Sequence, residues 1–189
     1  NGFLIVDSDL FGADANYDAN WVENCWVQTA QPIDCSMHEF VSISMQTRYR
    51  CWDNGGSDGS EKCFIEISRD GTTWPSLSSI YATQWQSEGL VNYGNDLVQC
   101  RFNVFPESET GFQTDNPSFL EFDITEAAGN QETIWVRFRW VGTWGYSWEI
   151  DDIEVYETPA NDTRIDNYVS FSNYAQTGLY EYGAWEQSQ

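Results

Sequence analysis

The stretch "SWEIDDIEVYE", Ser147 to Glu157, sets two adjacent carboxylates, Asp151 and Asp152, inside a run with the apolar content of a buried β-strand. A buried carboxylate is costly unless a cation or hydrogen-bond donors compensate it. Parity adds a second constraint. Trp148 and Ile150 fall on one face of a strand and Ile153 and Val155 on the other, so all four reach one side only if an extra residue is inserted. A β-bulge at the Asp-Asp step does this, and bulges re-aim side chains beside functional sites. Cation binding by Asp151 and Asp152 is the expected chemistry. The alternative is a bulge whose carboxylates accept backbone or arginine hydrogen bonds.

Calcium takes roughly six to eight oxygens from carboxylates, amides and carbonyls, and the N-terminal "DSDLFGADANYDANW" is rich in them, with Asp7 and Asp9 alternating after the apolar "FLIV". Asp14, Asn16, Asp18 and Asn20 follow at every second position. Their spacing imitates the start of an EF-hand loop, but Ala19 replaces the turn glycine and Cys25 stands where the bidentate glutamate belongs, so the EF-hand itself is rejected. Asp14, Asn16 and Asp18 remain weaker candidates, with a solvated acidic loop as the alternative.

The elements that would position these groups are strands. In "FVSISMQTRYRCW", Val41, Ile43, Met45, Thr47, Tyr49 and Cys51 share one parity; in "CFIEISRDGTTW", Cys63, Ile65 and Ile67 alternate with polar or outward positions. Asp70-Gly71 predicts a tight hairpin turn with a further strand just after it. In "TIWVRFRWVG", Ile134, Val136, Phe138 and Trp140 oppose Arg137 and Arg139, and "GTWGYS" turns the chain into the Asp-Asp strand. A strand is expected over Phe119 to Ile124, with one helical turn in "TEAAGN". Helical periodicity is otherwise nearly absent, and short strands with Gly-rich turns predict an all-β fold, an antiparallel two-sheet β-sandwich.

The chain has 189 residues, 8 basic against 30 acidic, and a net charge of −22. Nucleic acid and anionic membranes are poor partners for such a surface, and cations good ones. No stretch approaches the roughly 20 apolar residues of a membrane span. The start at Asn1 suggests a processed or excised piece. Residues 1–157 read as one β domain; 158–189 read as a linker and either the opening strands of a following module or a strap. Five cysteines without a CxxC pair favour disulfides over zinc and an oxidising, extracellular compartment. Cys51 and Cys63, at the ends of consecutive strands, form the preferred pairing, and at least one thiol is left over.

His38 is the only histidine and no nucleophile motif accompanies it, so an enzyme has little support. Exposed aromatic faces would serve glycan binding: Trp144 and Tyr146 near the tip of "WVGTWGYSW", with Trp85 and Trp52; hairpin or core packing is the alternative for each.

"NGFLIVDSD", "PIDCS", "TRYRCWDNG", "CFIEISRDGTTW", "IWVRFRWVGTWGYSWEIDDIEVYE" and "YEYGAWEQSQ" resemble, in this order, the jelly-roll domains of large surface proteins exported by the Bacteroidetes type IX secretion system. They look like the cleaved-adhesin domains of gingipains and, more distantly, extracellular MAM domains. The resemblance covers about residues 1 to 157. It implies a jelly-roll topology, structural calcium, and adhesion without catalysis, the partners being glycans, surface proteins or neighbouring domains of the same polypeptide. It also implies Asp7, Asp9 and Asp151 as shared calcium ligands joining first and last strands, with Asp152 beside them. Cys25, Cys51, Cys100 and the stretch around "CRFNVFPESETGF" depart from the family, so its disulfide pattern does not transfer.

Overall fold

The period-two patterns fold into nine strands among the described residues. They are β1 (Leu4–Asp7), β2 (Glu23–Gln28), β3 (Val41–Arg50), β4 (Lys62–Ser68), β5 (Val91–Asn92), β6 (Gln99–Asn103), β7 (Ser118–Asp123), β8 (Trp135–Gly142) and β9 (Ser147–Glu157), with one helical turn, α1 (Thr125–Ala128), after β7. The structure is a computed structural model and describes residues 2–7, 23–51, 61–75, 91–92, 99–105, 111–142 and 146–159. One sheet has the order β1-β9-β3-β7 and the other β2-β8-β4-β6-β5, and every pairing is antiparallel. The all-β sandwich expected from the alternation is therefore what forms. The chain divides into two units, Asn1–Thr158 and Pro159–Gln189; of the second, only Pro159 is among the described residues.

The core lies between the sheets. Val41, Ile43, Met45 and Tyr49 of β3 and Trp148 and Ile150 of β9 face Cys63, Ile65 and Ile67 of β4 and Val136, Phe138 and Trp140 of β8, all buried. Each such aliphatic or aromatic side chain contributes about 1.5–3 kcal/mol on burial. The two indole N–H groups carried inside are paired: the Trp148 Nε1 donates to Thr47 Oγ1 at 3.0 Å and the Trp140 Nε1 to Glu23 Oε2 at 3.0 Å. After β7, the Asp123 carboxylate accepts from the Thr125 amide at 2.8 Å, and Thr125 Oγ1 in turn accepts from the Val41 amide at 3.0 Å, tying α1 to β3.

The outer face of the five-stranded sheet departs from expectation. Alternation marks Arg137 and Arg139 as outward and hence solvated, yet both are buried, together with Arg101 and Glu66. Cross-strand register explains the gathering, because Glu66 stands opposite Arg137 on one side and Arg101 on the other. Its carboxylate accepts from Arg137 Nε at 2.6 Å, from Arg101 Nε at 2.8 Å and from Arg139 Nη1 at 3.4 Å. The segment after β4 folds across this face: the Pro75 carbonyl accepts from Arg101 and Arg139 at 3.2 Å each, and Trp74 lies 4.1 Å from the Arg137 guanidinium.

That crossing segment replaces the strand expected after Asp70-Gly71. Gly71 does have a positive φ, of 70°, and a Cβ there would stand 2.7 Å from the Trp135 ring. The Asp70 carboxylate, however, accepts from the amides of Thr72 and Thr73 and from the Thr73 hydroxyl. Those bonds hold its pKa well below the usual carboxylate range and wrap the chain into a local turn instead of a hairpin. Residues 72–75 form no strand, and β4 pairs with β6 and β8.

Glu66→Gln keeps the shape and removes the charge that three buried guanidinium groups share. Urea unfolding is expected to show a loss of about 3–5 kcal/mol with an unchanged m-value, the cost of breaking a buried ionic cluster. A loss under about 1 kcal/mol would mean that the cluster is compensated from elsewhere.

Candidate functional site

The bulge predicted in β9 is present. Gln46 pairs with Asp151 and Ser44 with Glu154, so Asp152 and Ile153 together oppose Met45, and Asp152 has a φ of 48°. The extra residue brings Ile153 and Val155 to the same side of the sheet as Trp148 and Ile150. Asp151 and Asp152 are both left exposed, and Asp151 Oδ1 accepts from the Asp152 amide at 2.9 Å. Neither carboxylate therefore bears the desolvation cost from which a bound cation was expected.

Asp7 pairs with Ser147 and Leu4 with Ile150, so Asp7 lies four residues along the ladder from Asp151. At about 3.4 Å per residue the separation is roughly 14 Å, too far for one ion to be shared. This corrects the bridge between first and last strands that the resemblance implied. Asp9, Asp14, Asn16 and Asp18 lie outside the described residues. Among the described residues no three His, Cys, Asp or Glu side chains stand together as a metal site.

Of the aromatic candidates, Trp52, Trp85 and Trp144 lie outside the described residues. Tyr146 is half-buried, with the Arg50 guanidinium 3.7 Å above its ring, so one face is already occupied. Sequence reading passed over Trp26. It stands opposite Arg139 on the outer face of the five-stranded sheet, is 52% exposed, and lies 5.4 and 5.9 Å from the guanidinium groups of Arg137 and Arg139. The signal was its parity against Cys25, which packs on the core.

The expected Cys51–Cys63 bridge is not formed; Cys25, Cys35, Cys51 and Cys63 are all thiols. Cys51 follows β3 in one sheet and Cys63 lies on β4 in the other, both buried in the core and near enough that Cys51 adds to the rise in the Cys63 pKa. Burial raises the pKa of Cys63 well above the ordinary thiol value, raises that of Cys35, and with help from Glu23 pushes Cys25 up to about 11. A thiol nucleophile needs the opposite shift. His38 Nδ1 lies 3.1 Å from Glu157 Oε2.

A concave feature among the described residues joins the two sheets where residues of their edge strands β1 and β2 line it together. A cleft of about 450 Å³ is lined by Leu4, Val27, Ile33, Phe138, Ile153 and Val155 among others, with Gln28 and Thr29 as its polar residues. A smaller one of about 180 Å³ shares Leu4, Val27 and Phe138 with it and runs on past Ile5, Trp26 and Trp148. Phe3, Ile5, Trp26 and Val27 are exposed along this edge. No protein-family model and no curated protein matches the chain.

Asp151→Asn is expected to leave the melting temperature within about a degree and the difference between calcium and EGTA as in the parent, since its carboxylate is exposed; loss of a calcium-dependent rise would return Asp151 to the ligands. Peptide mapping without reductant is expected to recover Cys51 and Cys63 unlinked. Alkylation of native Cys25 at pH 8 should run roughly a hundredfold slower than in urea, tracking the fall in thiolate fraction.

Proposed function

We propose that the chain is a non-catalytic adhesion module of a larger secreted surface protein, and that it meets its partners through the open edge where β1 and β2 lie. One observation carries this reading: Phe3 and Ile5 at β1 and Trp26 and Val27 on β2 are exposed at the edges of the two sheets, flanking an apolar cleft. Contiguous exposed apolar surface rimmed by polar residues marks interaction sites. The resemblance to cleaved-adhesin and MAM domains points the same way and supplies the extracellular, type IX-secreted setting and the jelly-roll reading of the topology. Calcium belongs to this proposal as a structural ion held by acids other than an Asp7–Asp151 pair.

Glycan recognition is a second reading, and one observation favours it. Trp26 offers a half-exposed ring whose inner side lies over the buried Arg137 and Arg139 guanidinium groups, leaving its outer side to stack on a sugar.

Beads carrying the chain are expected to adhere to surfaces coated with extracellular-matrix protein, and the Ile5→Ser and Trp26→Ser variants to lose at least tenfold of that adhesion at an unchanged melting temperature. The magnitude is that of a central aromatic anchor, about 2 kcal/mol. A defined glycan hit on an array, lost only in Trp26→Ser, would put the second reading in place of the first. Hydrolysis of a peptide or polysaccharide would overturn both.

A further inference from the structure

Lys62 is the single lysine in a chain of 189 residues, and although lysine is among the residues most often left in water, only 5% of it is exposed. It opens β4 on the outer face of the five-stranded sheet, on the same parity as Phe64 and Glu66. Register fixes what surrounds it. Val141 of β8 stands opposite on one side; on the other, β6 pairs Asn103 with Phe64 and Arg101 with Glu66, and the Val104 amide donates to the Cys63 carbonyl at 2.9 Å. Asn103 therefore shares the face of Lys62 and lies diagonal to it across the β4–β6 ladder. Diagonal neighbours in an antiparallel pair are about 7–8 Å apart at the backbone, within reach of a long side chain.

Both groups are kept from water. Asn103 is 8% exposed, and Phe64 and Val141, which flank Lys62, form a buried apolar cluster of their own on this face. Burial pushes the Lys62 amine down to about 8, with the Cys51 and Cys63 thiols acting the other way. An amine with that value is a nucleophile near neutral pH, because a useful fraction of it carries no proton. The carbonyl carbon it would meet is activated as well. Asn103 Oδ1 accepts from the Phe105 amide at 3.3 Å, which fixes the carboxamide and draws electron density from its Cγ.

We propose that the Lys62 amine and the Asn103 carboxamide condense with each other, leaving an amide bond between Nζ and Cγ that joins β4 to β6. The Nζ lone pair adds to Cγ, the charge that develops on Oδ1 is met by the Phe105 amide, the Cγ–Nδ2 bond breaks, and one proton passes from Nζ to the departing nitrogen. Ammonia is the only product released and nothing is oxidised or reduced, so the folded chain needs no co-reactant. The bond closes a covalent loop from residue 62 to residue 103, and such a cross-link stabilises by restricting the unfolded chain. In a sandwich whose described cysteines are thiols, it supplies a staple that reduction does not open.

The denatured and reduced full chain is expected to have an intact mass about 17 Da below the sequence value, the ammonia lost in the condensation. Trypsin does not cut after an acylated lysine, so the digest is expected to contain residues 51–69 joined to residues 102–137 as one branched peptide. Lys62→Arg and Asn103→Ala are each expected to abolish the deficit and to melt about ten degrees lower, the order expected of a cross-link closing a loop of this size. A parent chain of full sequence mass would overturn the proposal, whether or not either variant folds. So would a linear peptide of residues 102–137 that itself lacks the ammonia, because that product is a cyclic imide at Asn103. A lower melting temperature in the variants, with full mass in the parent, would make Lys62 and Asn103 a hydrogen-bonded pair and sink the cross-link.

Discussion

The single inserted residue in β9 is the constraint from which the rest of this edge follows. Without it, a strand carrying Trp148 and Ile150 into the core would turn Ile153 and Val155 outward, because side chains alternate with period two. With it, all four apolar residues serve one side and the two aspartates are turned to water. The positive φ of Asp152 is a backbone state that aspartate tolerates better than most residues, and the hydrogen bond from its amide to Asp151 Oδ1 fixes it locally. The acidic pair is thus explained by backbone conformation and solvation, without an appeal to a ligand.

A second constraint acts on the opposite sheet. Glu66 is one carboxylate among three buried guanidinium groups, so among the described side chains the cluster is positive inside a protein of net charge −22. Desolvating such groups is costly unless geometry and further hydrogen bonds repay it. Register supplies the geometry, and the Pro75 carbonyl and Asn24 side chain supply further acceptors, the latter at 2.8 Å from Arg139 Nε. The surrounding acidity favours the same charge, since a positive interior group is stabilised in a negative potential. The cluster also depends on the turn at Asp70, which carries residues 72–75 over the arginines.

Much of this was legible in the sequence. Strict alternation located β3, β4, β8 and β9, and the parity break in "WEIDDIEV" located the bulge, because period is a local property that one strand reveals alone. Outcomes that depend on a second strand were not legible. Arg137 and Arg139 have the parity of solvated residues, and only their register against Glu66 shows them buried. Cys51 and Cys63 do share the inward parity that suggested a bridge, yet they meet across the core as thiols. Asp7 and Asp151 look like ligands of one ion until the β1–β9 register separates them. Trp26 carried a parity signal, but its exposure depends on the edge position of β2.

An open sheet edge beside an apolar cleft invites self-association, and natural β-proteins suppress this with charge, bulges or short edge strands. This edge has all three: β1 is four residues long, the bulge bends β9, and Asp151, Asp152 and Glu154 crowd the half-strand with negative charge. A second copy approaching edge to edge would set these acids against their own images. Charge therefore rejects a second copy of the chain that the backbone alone would accept.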